Sequence, residues 1–500
     1  MKIQPHVYDR VMNRWRCWSL VVCSLVTACT KANPAFSCSD TPCTDPNFPY
    51  CDIDGSVGGI PEACTAVTCT AGAFQSCRGD NIALTCNNSG TSFDEVQCAH
   101  GCDAATGCKL CEANQTVCQN GVVASCDANG VQTSTTQCPL GCFEDQPRCR
   151  DIDPSNHLGT YLDMNPTPPD LDLSTGDWYV LNDAAGTLSG PAGAMLIVPN
   201  YLVTQPAGGP KIHVYVVNNL KLGSVYFAGP NDVTQSQATA FLAAGDVTIT
   251  GPITVSGLAG SYADTACSGK MGYSTFAQAN GAIEGYGPGG GGAVAPGSTG
   301  GVVNDPNTGP PSAGGSAFGA DNLEPLVGGC QGGGYHNYST GEIDPFGAYG
   351  GGSIQISSRK SITIAGTMNA DGGRGGGAGS GPGDTVTQGG GAGGSFLIEG
   401  PLVTIAANST ITAIGGDGFG CEPASEFCGA RGKGGTASSA PTVGGSIAFV
   451  TAAGASAEFY AGGGGGSVGR IRINTPTSTY GADSSALLNA SVTTGTIKTR

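Results

Sequence analysis

The chain has 500 residues, including 84 glycines and 23 cysteines, and its formal net charge is −17 at pH 7. Only 12% of its residues are charged, which excludes both an average globular composition and a highly charged disordered one. A chain this acidic is not expected to bind nucleic acid.

The N-terminal 28 residues have the pattern of an export signal. Basic residues between positions 10 and 16 precede an apolar run over residues 20–28, which is too short to span a bilayer because a spanning helix needs about 20 residues. Val26-Thr27-Ala28-Cys29 resembles the lipobox of bacterial lipoproteins, in which the cysteine is acylated. The resemblance implies cleavage before Cys29, attachment to the membrane through its lipid and, because Thr30 replaces an aspartate, sorting to the outer membrane. The alternative is a cleaved secretory signal with an unmodified Cys29.

The remaining cysteines indicate disulfides, since an exported chain meets an oxidising compartment. Removing Cys17 and Cys23 with the signal and acylating Cys29 leaves 20 cysteines, an even number. Their pairing cannot be deduced from the sequence, because six cysteines already allow 15 connectivities. The predicted disulfide-forming residues are Cys38, Cys43, Cys51, Cys64, Cys69, Cys77, Cys86, Cys98, Cys102, Cys108, Cys111, Cys118, Cys126, Cys138, Cys142, Cys149, Cys267, Cys330, Cys421 and Cys428.

Cysteine spacing divides the N-terminal third into small modules. Residues 29–68 are expected to hold the lipid attachment, a tether and a four-cysteine module, and residues 69–108 and 109–149 form two six-cysteine repeats. The steps between cysteines are 8, 9, 12, 4 and 6 in the first repeat and 7, 8, 12, 4 and 7 in the second. Modules of about 40 residues bury little apolar surface, so disulfides should hold them together. Zinc is the alternative suggested by the CxxC spacing of Cys108 and Cys111, but this pair spans the repeat boundary and no second CxxC accompanies it.

Residues 150–175 are proline-rich and are expected to be a linker, and short β-rich runs separated by glycine occupy residues 176–475. Gly352-Ser353-Ile354-Gln355-Ile356 and Gly394-Ser395-Phe396-Leu397-Ile398 share one pattern at a step of 42, from position 354 to 396. We expect a third copy at Gly445-Ser446-Ile447, and Arg470-Ile471-Arg472-Ile473 to close the series. Residues 476–500 are expected to form a C-terminal tail.

These repeats predict an all-β chain in which disulfide-rich modules precede a glycine-rich β-solenoid resembling a right-handed parallel β-helix. An antiparallel β-sandwich is the alternative. Glycines at the corners are expected to adopt positive φ. Residues 281–350, dominated by glycine, proline and serine, are expected to be a long flexible insertion whose ends Cys267 and Cys330 could tether, with packing of extended strands against the solenoid as the alternative. Cys421 and Cys428 could close a second, tight loop.

No catalytic constellation stands out. Asp371, Asp384 and Asp417 are scattered, although a glycosidase needs two carboxylates about 5 to 9.5 Å apart. Ser467 satisfies GxSxG, but within a glycine tract where a chance match is expected. We therefore predict no enzyme activity, no catalytic residue, no cofactor and no metal, with calcium on the acidic surface as an alternative. The isolated residues His157, His213 and His336 are expected to be structural.

The arrangement as a whole resembles uncharacterised exported lipoproteins of myxobacteria and related Gram-negative bacteria. The lipobox at Cys29, the six-cysteine modules, the strand patterns and the ending from Gly462 to Thr475 carry the likeness. It supplies no activity. We predict a lipid-anchored protein of the outer membrane, at the cell surface or the periplasmic face, with a structural or adhesive role and a polysaccharide or surface protein as partner. The alternative is a carbohydrate-active β-helix enzyme, a lyase or a hydrolase.

Overall fold

The computed structural model describes residues 38, 41–53, 55, 60–109, 111–181, 187–228, 238–256, 267, 272, 276–279, 282–285, 288–301, 303–304, 312–337, 342–376, 388–420, 430–443, 446–448 and 459–500. The chain divides into two compact units, Met1–Cys149 and Arg150–Arg500. The all-β prediction is confirmed, since strands make up most of the regular structure and the described part contains one short α-helix.

Unit 1 consists of small antiparallel sheets. Its strands are β1 (Tyr50–Asp52), β2 (Ala63–Thr65), β3 (Phe74–Arg78), β4 (Ile82–Cys86), β5 (Phe93–Gln97), β6 (Cys102–Asp103), β7 (Gly107–Cys108), β8 (Thr116–Gln119), β9 (Val122–Cys126) and β10 (Gln132–Gln137). Strands β3, β4 and β5 form one three-stranded sheet and β8, β9 and β10 another, so the two cysteine repeats share one fold. Leu84 and Phe93 contribute to a small core against Tyr50.

The disulfides follow one connectivity in both six-cysteine repeats: first to third, second to fifth and fourth to sixth. This agreement supports the repeat boundaries predicted from spacing. The four-cysteine module pairs first to third and second to fourth. The bonds are Cys38–Cys51, Cys43–Cys64, Cys69–Cys86, Cys77–Cys102, Cys98–Cys108, Cys111–Cys126, Cys118–Cys142 and Cys138–Cys149.

Unit 2 begins with the helix α1 (Gly159–Met164) and is otherwise built from strands, with one 3-10 turn at Pro191–Gly193. The strands are β11 (Leu171–Leu181), β12 (Thr187–Ser189), β13 (Met195–Ile197), β14 (Asn200–Val203), β15 (Ile212–Val217), β16 (Leu220–Ala228), β17 (Ala238–Ala243), β18 (Val247–Ile249), β19 (Ile253–Thr254), β20 (Phe276–Ala279), β21 (Ala282–Gly285), β22 (Val303–Asn304), β23 (Gly333–Asn337), β24 (Glu342–Phe346), β25 (Ser353–Ser358), β26 (Ser361–Ile364), β27 (Thr367–Asn369), β28 (Ser395–Glu399), β29 (Leu402–Ile405), β30 (Thr410–Thr412), β31 (Ile447–Ala448), β32 (Phe459–Tyr460), β33 (Arg470–Thr475), β34 (Gly481–Ala482), β35 (Leu487–Asn489) and β36 (Ser491–Thr496).

Three parallel ladders form the solenoid. Ladder A stacks β15, β17, β25, β28, β33 and β36. Ladder B stacks the first parts of β11 and β16 with β18, β26, β29 and β34, and ladder C stacks their second parts with β19, β27, β30 and β35. The full coils pass through ladders A, B and C in turn, so the parallel pairing expected of a β-solenoid is present.

Columns of apolar side chains fill the space between the ladders. Alternation along each short strand turns one set of side chains inward, and stacking aligns equivalent positions of successive coils. All the following are almost completely buried: Tyr215, Phe241, Ile356, Ile398 and Ile473 from ladder A; Leu222, Ile249, Ile364 and Ile405 from ladder B; Val225, Ile253, Met368 and Ile411 from ladder C. A single coil could not form such a core, because each contributes only a few apolar residues.

The predicted step of 42 is the register between β25 and β28, where Ile354 pairs with Phe396. The third copy predicted at Ile447 is wrong, since β31 pairs with β22 and β28 pairs with β33 instead. The series also does not close at β33. Residues 476–500, predicted as a tail, supply β34, β35 and β36, which extend all three ladders.

The role predicted for the corner glycines is corrected by the structure. Among the described glycines of unit 2, positive φ occurs only at Gly176, Gly193, Gly208, Gly209 and Gly319, all ahead of β25. At the corner between ladders B and C, a Cβ on Gly366 would lie 2.5 Å from the carbonyl oxygen of Gly251. Close approach of successive coils, not a left-handed turn, therefore requires glycine there.

The glycine-rich returns between coils pack together as extended segments, which we call the glycine bundle: residues 288–301, 312–316, 329–333, 347–352, 370–375, 388–394, 413–418, 432–435 and 462–469. Successive residues of one segment hydrogen-bond to different neighbouring segments. The Gly390 N–H donates to the carbonyl oxygen of Gly464 and the Gly391 N–H donates to the carbonyl oxygen of Gly373, both at 2.9 Å. Residues 388–394 therefore hydrogen-bond with more than one neighbouring segment.

The bundle corrects the prediction of a flexible, solvated insertion over residues 281–350. Its described glycines at 289–292 and 329–333 are buried. The alternative, extended glycine-rich segments packed against the solenoid, is what the structure shows. The predicted tether is also present, because Cys267 and Cys330 form a disulfide, whereas Cys421 and Cys428 lie outside the described residues.

Residues 150–175 are likewise not a linker in the structure. Ile152, Leu158 and Leu162 are almost completely buried, and Ile152 forms a β-bridge with Thr499. The end of the segment already belongs to β11. Burial of these three apolar side chains within unit 2 explains why this proline-rich stretch is ordered.

Candidate functional site

The outer side of ladder A is covered by other parts of unit 2. Gln355, Ser357 and Glu399 alternate with core residues and therefore point away from the core, yet each is at most 1% exposed. Residues 151–163, which we call the covering segment, lie over them, together with residues 322–327. The Asn156 side-chain amide donates to Gln355 Oε1, at 2.9 Å, and to the backbone carbonyl of Leu323, at 3.2 Å.

Glu399 is the centre of this contact. Its carboxylate accepts hydrogen bonds from the backbone N–H of Ser155 at 3.1 Å and from Ser155 Oγ at 2.7 Å. It also accepts from Gln355 Nε2, Ser357 Oγ and Asn474 Nδ2, each at 2.9 Å. Five donors therefore compensate the desolvation of a buried carboxylate, which is the arrangement of a structural group.

Ion pairs fasten the two ends of the covering segment. Asp151 pairs with Arg359 at 2.6 Å, and Asp163 pairs with Arg500 at 2.6 Å. The hydrogen bond from Arg500 lowers the pKa of the Asp163 carboxyl below its usual value. In the neighbouring loop, burial tends to raise the pKa of Glu324, but the Lys498 ammonium, 2.7 Å away, and the hydrogen bond from the Asn156 N–H together lower it.

The outer sides of ladders B and C carry two straight rows of polar side chains, which we call the open face. Among the described residues, no hydrogen bond crosses the ladder B row in the way that the covering segment crosses ladder A. On the ladder C row, the last residue, Asn489, accepts a hydrogen bond from the Ala437 N–H at 2.9 Å. Because the strands pair in register, equivalent residues of successive coils line up, about 4.8 Å apart. The row on ladder B is Asp172, Lys221, Thr248, Thr363 and Thr404, and the row on ladder C is Tyr179, Tyr226, Thr254, Asn369, Thr412 and Asn489.

The two ends of the open face differ in chemistry. At the N-terminal end, Tyr179 and Tyr226 stack with ring centroids 5.5 Å apart, and Tyr179 is 44% exposed. Beside them, Lys221 and Asp172 form an ion pair at 3.3 Å. Beyond this end, both rows carry only threonine and asparagine. These uncharged side chains each offer a hydrogen-bond donor and an acceptor.

The carboxylates considered from the sequence lie in separate surroundings. Asp371 accepts hydrogen bonds from the Ile414 N–H and Asn369 Nδ2, both at 2.8 Å, and burial raises the pKa of its carboxyl. Asp417 accepts from the Gly434 N–H at 2.9 Å and pairs with Arg431 and Lys433 at 3.4 and 3.5 Å. Asp384 lies outside the described residues.

Ser467, the serine of the GxSxG match, lies inside the glycine bundle. Its side chain is completely buried, and its hydroxyl has no hydrogen-bond partner among the described residues. An activated nucleophile needs an adjacent base. Ser467 is therefore not arranged for nucleophilic catalysis in the described structure.

The histidines occupy unrelated places. His213 is buried on ladder A, where its Nε2 hydrogen-bonds with Asn200 Oδ1 at 3.1 Å and its ring stacks on Tyr215. His157 is exposed in the covering segment with positive φ. The side chain of His336 lies outside what the structure describes.

One group of potential metal ligands occurs among the described residues. The sulfur atoms of Cys38, Cys43 and Cys64 lie within 4.8 Å of one another. All three belong to disulfides, and a metal needs thiolates. The donor set does not fit a metal site in this oxidised form.

The predicted signal and its lipid attachment at Cys29 lie outside the described residues. Within the described part of the chain, no helix combines the length and apolar character needed to cross a membrane.

Comparisons with known proteins returned nothing for this chain: no family model, no curated protein and no solved structure matches it.

The residues that line the open face were not identified from the sequence, although its threonines were visible as polar residues between buried ones. Alternation in β18, β26 and β29 marks Thr248, Thr363 and Thr404 as outward residues. The sequence could not reveal that Thr248 and Thr363, which are 115 positions apart, lie side by side on adjacent strands.

Proposed function

We propose that this chain is a lipid-anchored cell-envelope protein with a structural or adhesive binding role and no catalytic activity. The proposal joins the lipobox-like sequence at Cys29 to an oxidised, cysteine-rich unit 1 and a rigid solenoid in unit 2. Its likeness to exported lipoproteins of myxobacteria and related bacteria stays a prediction. Outer-membrane attachment, at either the surface or the periplasmic face, belongs to the same proposal.

The observation that carries the binding role is the contrast between the two outer sides of the solenoid. Ladder A is sealed by the covering segment through the Glu399 network, whereas the threonine row on ladder B is left half-exposed. Sealing one side and presenting the other favours a scaffold that displays a binding surface. A rigid display surface also limits the entropy lost on binding.

One observation favours the second candidate, a carbohydrate-active enzyme. Burial raises the pKa of Asp371, as a general acid requires. Its two neighbouring donors, the Ile414 N–H and Asn369 Nδ2, hold the carboxyl as a hydrogen-bond acceptor at the end of ladder C, which favours a structural role. Release of reducing sugars from matrix polysaccharide that Asp371→Asn abolishes would support the enzyme instead.

Cell fractionation and adhesion assays test the proposed function. The wild-type chain is expected in the membrane fraction and Cys29→Ala in the soluble fraction, with Cys23→Ala as the matched control that stays in the membrane. Cells lacking the protein should attach less to matrix than cells producing it. Protease shaving of intact cells that releases fragments beyond Asp151 would place the protein at the surface. Membrane retention of Cys29→Ala together with unchanged attachment would contradict the proposal.

A further inference from the structure

We propose that the open face binds a linear, uncharged polysaccharide lying across the strands, along the axis of the solenoid. This inference rests on the proposed function and names the ligand class for it.

Periodicity is the first argument. Thr248, Thr363 and Thr404 occupy one register position in three successive coils, and Thr254, Asn369, Thr412 and Asn489 occupy another in four. The ladder B row therefore repeats a threonine hydroxyl, and the ladder C row alternates hydroxyl and amide, at the strand spacing of about 4.8 Å. A ligand that matches several such groups must itself repeat at a constant interval close to this length. One sugar ring in an extended polysaccharide is such a unit.

The chemistry of the rows fits sugar hydroxyls. Threonine hydroxyls and asparagine amides both donate and accept, as a sugar hydroxyl also does. All these residues are half-buried, so their side chains are partly fixed by neighbouring coils before any ligand arrives. In the ladder C row the Thr412 hydroxyl oxygen is buried, and Asn369 and Asn489 already hydrogen-bond with Asp371 and Ala437. The main groups offered to a ligand are therefore the ladder B threonines, Thr248, Thr363 and Thr404. The stacked pair Tyr179 and Tyr226, at the end of the ladder C row, offers apolar ring surface with polar hydroxyls, which suits the mixed polarity of a sugar ring.

Charge selects among polymers. The chain carries a net charge of −17, which disfavours anionic polysaccharides and nucleic acid. Within the rows, the two charged side chains, Asp172 and Lys221, neutralise each other at 3.3 Å, so the rows themselves offer no net negative charge to a cationic polymer. An uncharged polymer meets neither penalty.

A folded protein partner fits the face less well. Protein interfaces depend on a desolvated centre rich in aromatic residues and arginine. The middle of the open face has only small polar side chains, and its two tyrosines lie at one end. A globular partner would therefore bury hydroxyls and amides without an apolar anchor.

Cosedimentation with insoluble glycans tests the inference. The probes are microcrystalline cellulose, chitin and an insoluble β-1,3-glucan, with alginate as an anionic competitor, and the protein is the full chain carrying Cys29→Ala. We expect binding to at least one neutral glycan that alginate does not compete. The triple variant Thr248→Ala, Thr363→Ala, Thr404→Ala should bind at least about tenfold more weakly, since each lost hydrogen bond weakens the complex. Tyr179→Ala should weaken it by about tenfold as well.

The matched control is Thr135→Ala with Thr136→Ala, two exposed threonines of β10 in unit 1, which should bind like the unaltered chain. Circular dichroism and thermal melting establish that each variant is folded. Binding by the triple variant as strong as that of the control would overturn the inference. Loss of binding to the neutral glycan when alginate is added would also overturn it. Failure to bind any of the three neutral glycans would overturn the inference as well. If cells producing the protein still attach to matrix in that case, the ligand class is rejected and the adhesive role remains.

Discussion

Ser155 and Glu399, 244 residues apart in the sequence, are joined by two hydrogen bonds in the buried contact that holds the covering segment on ladder A. The serine contributes both its N–H and its hydroxyl, so a single carboxylate fixes backbone and side chain together. Because Gln355, Ser357 and Asn474 donate to the same carboxylate, the contact ties three coils of the solenoid to the covering segment.

Replacing this carboxylate should therefore destabilise unit 2. Glu399→Gln keeps the shape of the side chain but places an amide NH₂, which is a donor, where the surrounding groups are all donors. We therefore expect the free energy of unfolding to fall by about 2 to 4 kcal/mol. Urea unfolding monitored by circular dichroism measures the change. Glu144→Gln, at an exposed position of unit 1, should change stability by less than about 0.5 kcal/mol. Equal stability of the two variants would show that the Glu399 network contributes little.

The glycine bundle makes a position-specific prediction. A Cβ on Gly415 would lie 1.9 Å from the carbonyl oxygen of Gly466, so Gly415→Ala must push two packed segments apart. We expect a loss of about 2 kcal/mol or more in the free energy of unfolding, at the upper range for overpacking.

Gly400→Ala is the matched control, because its Cβ would make ordinary contacts, the nearest at 3.4 Å to Ile362. It should be neutral or stabilising by up to about 1 kcal/mol, through reduced freedom of the unfolded chain. Thermal unfolding of both variants measures this difference in stability. If Gly415→Ala were as stable as Gly400→Ala, the glycine tracts would not be packed as described.

The connectivity of unit 1 can be tested by peptide mapping without reduction. The second-to-fifth bonds, Cys77–Cys102 and Cys118–Cys142, should appear as cross-linked peptides. Removing the latter with Cys118→Ala and Cys142→Ala should lower the stability of the second repeat by about 3 kcal/mol, because the bond closes a loop of 24 residues. Faster amide hydrogen exchange confined to residues 111–149 is the expected readout. Cross-links between other cysteines would show that the repeats do not share one connectivity.

Acid should weaken the attachment of the covering segment. The pKa of Asp163 is lowered by the Arg500 hydrogen bond, and that of Glu324 is lowered by Lys498 and the Asn156 N–H against the opposing effect of burial. A carboxyl whose pKa is lower in the folded state contributes stability above its unfolded pKa, about 4, and loses that contribution as the pH falls through the folded value.

We therefore expect the melting temperature to drop below about pH 4, with a shallower dependence in Asp163→Asn. Asp145→Asn, exposed in unit 1, is the control and should follow the wild-type curve. A melting temperature of Asp163→Asn that follows the wild-type pH profile would exclude this ion pair as the source of the acid sensitivity.

Local patterns in the sequence were sufficient to predict the strands and part of their register. Ser361–Ile364 alternates polar and apolar residues, so its isoleucines had to face one side. The step of 42 placed Ile354 beside Phe396, because 42 residues complete one coil here and return the chain to the same register position.

Long-range partners could not be predicted in the same way. Ser446-Ile447 repeats the beginning of β25, but β31 pairs with β22. A short local pattern does not determine which distant segment a strand pairs with. The covering segment was equally hidden. Its three buried apolar residues, Ile152, Leu158 and Leu162, are too few to give a periodic signal among prolines. The contacts that hold the segment, such as Ser155 with Glu399 and Asp151 with Arg359, join residues more than 200 positions apart.

Side-chain footprinting with hydroxyl radicals tests the account most directly, with the full chain carrying Cys29→Ala in the presence and absence of the neutral glycan that it binds. We predict that oxidation of Tyr179, Tyr226 and Leu402 falls on binding, because these side chains lie on or beside the open face. Met164, exposed at the end of α1, should be oxidised equally in both samples and serves as the internal control. Protection of Met164 instead, with unchanged oxidation of the tyrosines, would contradict the central claim that the open face is the binding surface.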